Sequence, residues 1–500
     1  MMKPHRTTTR YLVPSLAAII LTSAPAMAEE PRTRAIDLIN DIQEGETSAE
    51  AAVSATLDAI DGWAILNGVA HLNVEAAIDA AREVDGGARA GPLAGLPIVV
   101  KDNIRTEGLP NAAGTPALQD AVADAPAPVL QRLVDAGATV VATTHMHELA
   151  FGISGWNPVY QTGPEPGVRN PYDPSRFAGG SSSGTGALVG AGAVSAGLGT
   201  DTGGSVRVPA AVNGVSGLRP TIGRYPADGI VPISNTRDTA GVIAASVADI
   251  ELLDRVITSE AEVAAAGLQG VTLGVGSAFT AELDTDVASV WASALEELEA
   301  AGVTLVEIDD SAIFDLSAQI SFPIALTEAR PHLVAYLERY MPQISIEDVV
   351  AEIASPDVKQ TYEALVLPGM LPGPDGALVD GAPIYEQAMA EGRPALIAAY
   401  EEVFARNGLD ALIFPTVPQV ALDASPESSS PEIFSRFIRN VDPGSVAGMP
   451  GLSVAGGLGP ETGLPVGIGM DGPAGSDRHL LALGMAIEDV LGRTEQPDLP

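Results

Sequence analysis

Residues 177–200 constrain the fold most: twenty-four positions without a charge, built mainly from glycine, alanine and serine. Side chains this small allow backbones to approach closely, so such a stretch belongs inside a packed structure. Gly186-Ala-Leu-Val-Gly190 even spells the small-xxx-small pattern of paired membrane helices. Yet Leu188, Val189, Val194 and Leu198 are its only large aliphatics, and each glycine costs about 1 kcal/mol of helix propensity. Its transfer energy is far below that of a leucine-rich span. The expectation is a buried, tightly packed helix that follows a glycine-rich turn.

The rest of the chain fits around such a helix as an α/β domain. Residues 96–100 read as a short apolar strand running into Lys101, residues 129–136 as a helix, and residues 138–143 as a buried strand. Strands near 271–275, 303–308, 411–414, 452–454 and 466–470 alternate with helices near 246–257, 284–301, 385–406 and 477–491. No charged or low-complexity linker divides the chain, so one large domain over residues 29–500 is expected, with about 280–440 a variable cap. Residues 1–28 carry Lys3, Arg6 and Arg10, an apolar run, and Ala26-Met27-Ala28, the pattern of a cleaved signal peptide. Export to the periplasm or the medium follows from that pattern.

Composition removes several functions. Against 26 Lys and Arg stand 64 Asp and Glu, a net charge of −38, which repels phosphate backbones and anionic lipid. Nucleic acid is therefore not an expected partner, nor is a membrane once the leader is gone. The absence of cysteine excludes disulfides, thiolate metal sites and cysteine nucleophiles.

Three features carry chemistry. Lysine occurs only at positions 3, 101 and 359, and Lys101 sits at the end of an apolar strand, where a charge is expensive. A desolvated amine can lose its proton, which arginine cannot, although a snorkelling lysine or a pair with Asp102 would also fit. Gly179-Gly-Ser181-Ser-Ser-Gly-Thr-Gly186 lacks the Gly-Lys-Ser/Thr ending of a phosphate loop. Asp201-Thr-Gly-Gly-Ser205-Val-Arg207 puts a serine on a tight turn whose N–H groups can converge on one point, as an oxyanion hole requires, or else simply caps the next helix. Serine needs a base, and none of the six histidines lies in either motif.

Taken together, Ile98-Val-Val-Lys101-Asp-Asn103, Gly179-Gly-Ser181-Ser and Gly199-Thr-Asp201-Thr-Gly-Gly-Ser205-Val-Arg207 resemble the amidase signature family of Ser–Ser–Lys hydrolases. Later blocks at Asp410-Ala-Leu-Ile-Phe-Pro415 and Gly448-Met-Pro450 extend the likeness over nearly the whole chain. The resemblance implies a mixed, mostly parallel-type sheet covered by helices, and amide hydrolysis without cofactor or metal. It implies Ser205 as nucleophile, Ser181, on a cis peptide, as proton relay, and Lys101 as neutral base. It further implies N–H groups of Thr202, Gly203, Gly204 and Ser205 as oxyanion donors, and Asp201 and Arg207 as braces of that loop.

The partner so implied is a small-molecule amide, with a homodimer left open. Residues 439–450 are similar to the arylacetamide branch, the indoleacetamide and mandelamide hydrolases, although Val441 and Val446 stand where polar residues are expected. Peptide amidase and aryl acylamidase activities are the alternatives, and an amide- or peptide-binding protein without turnover is the non-enzymatic one. His145, His147 and Glu148 form a His-x-His-x-Glu run that could bind zinc, but pocket or core histidines are the preferred reading.

Overall fold

The computed structural model of the chain describes residues 32–158, 166–373 and 375–498. The expected leader, residues 1–28, lies outside them. In chain order the strands are β1 (Val69–Leu72), β2 (Pro97–Lys101), β3 (Thr139–Thr144), β4 (Ala196–Asp201), β5 (Ser216–Arg219), β6 (Thr239–Ala244), β7 (Thr272–Gly276) and β8 (Thr304–Ile308). They continue with β9 (Met370–Pro372), β10 (Leu378–Asp380), β11 (Ala411–Pro415), β12 (Gly451–Leu458) and β13 (Pro465–Asp471). All but β9 and β10, which pair with each other, join one eleven-stranded sheet ordered β1-β3-β2-β4-β6-β5-β12-β13-β11-β7-β8.

The sheet is mixed, as expected, but not mostly parallel. Of its ten neighbour pairs, four are parallel (β2–β3, β2–β4, β11–β7, β7–β8) and six antiparallel. Helices account for the parallel flanks: Pro128–Asp135 returns the chain from β2 to β3, and Thr285–Ala300 returns it from β7 to β8. A short turn from β12 into β13 forces an antiparallel pair in the middle. Residues 280–440 contribute β8 and β11 to this sheet, and between them lies the thirty-residue helix Ser311–Tyr340. No helix among the described residues is long and apolar enough to cross a membrane.

Strand alternation places the site. Successive side chains of a strand point to opposite faces. On β2, Ile98 and Val100 pack into the apolar layer that contains Leu130, Ile250 and Leu481, while Val99 packs with Leu188, Val189 and Val206 on the other face. Lys101, two residues beyond Val99, follows it toward the helix Ser183–Gly190. All eight residues of that helix are buried. Its glycines explain how: a Cβ on Gly186 would lie 2.8 Å from Pro209 Cβ, and one on Gly190 2.7 Å from Asn213 Cβ. The small-xxx-small pattern is thus a close helix–helix contact inside a globular core.

The tightest approach within this helix is at Gly184, where a Cβ would stand 2.1 Å from the Gly68 carbonyl oxygen. Overpacking of this kind costs about 1–3 kcal/mol. Gly184→Ala should therefore lower the denaturant midpoint by that much stability, whereas Gly267→Ala, with open space around it, should stay within about 0.5 kcal/mol of the parent. Equal midpoints for the two variants would contradict this packing.

Candidate active site

Lys101 has no solvent exposure. Its Nζ lies 2.8 Å from Ser181 Oγ and 2.7 Å from Thr200 Oγ1. Asn103 Nδ2 donates to the same Thr200 hydroxyl at 3.1 Å, which fixes the threonine as a shared acceptor. Burial lowers the Lys101 pKa to about 7, with the charges of Asp201 and Asp238 acting against the shift. Next to it, burial raises the Asp102 carboxyl to about 8, so Asp102 and Lys101 do not form an ion pair at neutral pH.

Ser181 begins the glycine-serine turn ahead of the buried helix, and the Gly180–Ser181 peptide is cis, as the resemblance implies. The Ser181 carbonyl accepts the His147 N–H at 3.3 Å. The next residue, Ser182, ties the two serine motifs together. Its N–H donates to the Ser205 carbonyl at 3.2 Å, and its hydroxyl exchanges hydrogen bonds with the Thr200 backbone, both at 3.2 Å. Ser205 is 8% exposed, whereas Ser181 and Lys101 are fully covered. Ser205 is thus the one of the three that solvent reaches, with Ser181 and Lys101 both behind the surface.

Asp201, at the end of β4, organises the turn that carries Ser205. Its carboxylate accepts Gly204 N–H at 2.8 Å, Val206 N–H at 3.2 Å, two bonds from Arg207 at 3.1 and 3.2 Å, and Arg219 Nη1 at 3.1 Å. Burial alone would raise its pKa, but the Arg207 and Arg219 charges outweigh burial and hold the carboxyl well below the usual range. Asp201 and Arg207 are thus joined across the turn, and Arg219 is a third member of the set that sequence reading missed. Gly204 departs from expectation: its N–H is committed to Asp201 and is not an oxyanion donor. Its φ of +120° and the 2.3 Å between a Cβ there and Val441 Cγ2 both require glycine. Among the described residues, the N–H groups of Thr202, Gly203 and Ser205 have no protein acceptor.

Two further residues reach the turn. Arg237, on the approach to β6, donates to the Thr202 carbonyl at 3.2 Å and pairs with Asp442. Asp238 accepts Thr202 Oγ1 at 2.6 Å. A cavity of about 270 Å³ adjoins this flank, lined by Asn103, Thr200, Thr202, Asp238 and Tyr336 but by neither Ser181 nor Ser205. The His-x-His-x-Glu run does not converge. His147 Nε2 pairs with Asp357 at 3.0 Å, Glu148 accepts the N–H groups of Ala354 and Ser355, and burial lowers the His145 pKa to about 4, with the charge of His71 adding to the shift.

A covered amine against a serine, and a second serine on a turn with free N–H groups, is the arrangement of a serine-dependent acyl-transfer enzyme. Residues 51–481 match the Amidase family, and the chain belongs to it, the amidase signature hydrolases acting on C–N bonds of linear amides. It is 45% identical over 460 residues to a mandelamide hydrolase of Pseudomonas putida, covering 91% of each chain. It is 43% identical to an indoleacetamide hydrolase of Agrobacterium vitis, over 84% of this chain and 88% of that one. Among solved structures, an amidase superposes with a TM-score of 0.77 at 31% identity, covering 92% of this chain and all of that one. The peptide amidase of Stenotrophomonas maltophilia does so at 0.72 and 29%, covering 93% and 98%.

Replacing Asp201 by Asn keeps the shape but removes the carboxylate that Arg219 and Arg207 share, leaving Arg207 only its 3.6 Å contact with Asp471. Removing one partner of a buried ion pair costs about 3–5 kcal/mol. Urea unfolding of Asp201→Asn should show a loss of that size, and a loss under about 1 kcal/mol would deny the carboxylate its bracing role.

Proposed function

We propose that this amidase hydrolyses small aromatic amides of the arylacetamide type through an acyl-enzyme on Ser205. The observation that carries the mechanism is the 2.8 Å contact between Ser181 and a buried Lys101 whose pKa lies at about 7. Ser205 Oγ attacks the amide carbonyl carbon, its proton passes to Ser181 Oγ, and the Ser181 proton passes to the lone pair of neutral Nζ. Thr200 Oγ1 receives an N–H of the amine and so turns the lone pair toward Ser181. The free N–H groups of Thr202, Gly203 and Ser205 take up charge on the carbonyl oxygen. The proton then returns along the same path to the departing nitrogen, ammonia leaves, and water attacks the ester by the reverse relay.

The substrate reading is supported by the 45% and 43% relatives, named for mandelamide and indoleacetamide. It is also supported by an aromatic pair: Phe322, 43% exposed, meets Phe434 at 6.1 Å. Phe322 directly follows Ser321, which binds Arg237 beside the Ser205 turn. A panel of arylacetamides, aliphatic amides, anilides and peptide amides tests this reading. The highest kcat/KM should fall on an arylacetamide; a maximum on anilides or peptide amides would replace it.

Covalent catalysis has its own check. A fluorophosphonate should add to Ser205 and abolish turnover; mass spectrometry placing the adduct on another serine would refute the mechanism. Because the base must be neutral, kcat/KM should fall tenfold per pH unit below about 7 and level off above it. Lys101→Arg should lose at least about 100-fold in turnover, since guanidinium stays protonated.

Export is proposed on the N-terminal pattern of residues 1–28. Protein from the native host should begin at or near Glu29; a cytoplasmic chain starting at Met1 would overturn it.

A further inference from the structure

A peptide unit is planar, so a bond that holds its carbonyl also aims its N–H in the opposite direction. All three free N–H groups of the Ser205 turn belong to peptide units whose carbonyls are held from behind. Arg219 Nη1 binds the Asp201 carbonyl at 2.5 Å, and the other end of that peptide is Thr202 N–H. Arg237 Nε binds the Thr202 carbonyl at 3.2 Å, and the other end is Gly203 N–H. The Val208 N–H binds the Gly204 carbonyl at 2.8 Å, and the other end is Ser205 N–H. The Gly203 carbonyl belongs to the one peptide of the turn whose N–H, on Gly204, is already spent on Asp201.

Resting on the oxyanion role proposed above, we propose that Arg237 is a positioning residue that aims the Gly203 N–H at the reacting carbonyl. The side chain is 3% exposed and is itself held at every arm. Nη1 donates to the Ser321 carbonyl at 2.9 Å and hydroxyl at 3.0 Å, on the helix Ser311–Tyr340. Nη2 pairs with Asp442, whose other oxygen lies 3.5 Å from Ser317 Oγ on the same helix. The Arg237 carbonyl accepts Arg219 Nη2 at 2.7 Å, so the guanidinium that holds one peptide of the turn is tied to the backbone of the residue that holds the next. A Cβ on Gly203 would meet Asp442 Oδ1 at 2.9 Å and Arg237 Nη2 at 3.1 Å, so the pair lies directly against the peptide it orients. A lysine has one head group and cannot hold three acceptors in a fork.

The test is kinetic. Loss of one oxyanion donor costs about 10²–10³ in kcat, and a donor left in place but misaimed should cost at least about tenfold. Arg237→Lys should therefore lower kcat at least tenfold with KM within threefold of the parent, and leave the acid limb of the pH profile where Lys101 sets it. Arg237→Ala should regain turnover when guanidinium ion is added below denaturing concentration. Asp442→Asn, which keeps the arginine but loosens it, should show the same kcat loss at smaller size. That third variant decides the matter if neither Arg237 variant folds. An unchanged kcat in a folded variant, or a loss confined to KM, would overturn the proposal. Failure of the parent itself to hydrolyse amides or to be labelled on Ser205 would instead overturn the mechanism on which the proposal rests.

Discussion

A primary amine held away from water is the constraint around which the structure is arranged. Burying a charged ammonium without a partner costs more than a fold can spare, so the group sheds its proton instead. Lys101 meets this condition because its contacts are hydroxyls, Ser181 and Thr200, and because no carboxylate among the described residues bonds to its Nζ. Asp201, one hundred positions later and equally buried, has the opposite outcome. It stays ionised because Arg207 and Arg219 both reach its oxygens. One buried group gives up its proton near neutral pH and can accept one; the other is charged and can hold a turn. The difference lies in the neighbours, since desolvation acts on both.

The sheet and its glycines bring these two environments into contact. β2 delivers Lys101 by the parity that sends Val99 to the same face, and its parallel neighbour β4 delivers Thr200 and Asp201. A Cβ at Gly197 would stand 2.7 Å from the Val99 carbonyl and 2.8 Å from Thr185 Cγ2, so a larger residue on β4 would separate strand, neighbour and helix. The uncharged stretch of residues 177–200 is the means by which the serine turn and β4 approach the lysine within hydrogen-bond distance. Its lack of large side chains is a geometric requirement of the site.

Much of this was legible in the sequence. The strand ending at Lys101, the two glycine-serine turns and the buried helix between them are local patterns of alternation, turn chemistry and composition. What was not legible depends on long-range pairing. Arg219 and Arg237 are unremarkable as sequence, and they matter only because β6 pairs with β4 and β5 pairs with β6 in the sheet. The commitment of Gly204 N–H to Asp201 cannot be read from a motif in which four successive N–H groups look equivalent. The helix Ser311–Tyr340 went unassigned because Pro323 and Pro331 interrupt its pattern, as proline does to any isolated helix. β1 is not among the strands expected from the sequence, since four residues that pair only with β3 carry little periodicity.

The neutrality of Lys101 can be observed without reference to catalysis. With only three lysines in the sequence, protein labelled with ¹³C at the lysine ε-carbon gives at most three resonances to follow by NMR across a pH series. One resonance should titrate near pH 7, the value to which burial lowers Lys101, and it should be absent from Lys101→Met. A series in which the Lys101 resonance keeps its protonated shift until about pH 10, where exposed lysines titrate, would contradict the account at its centre.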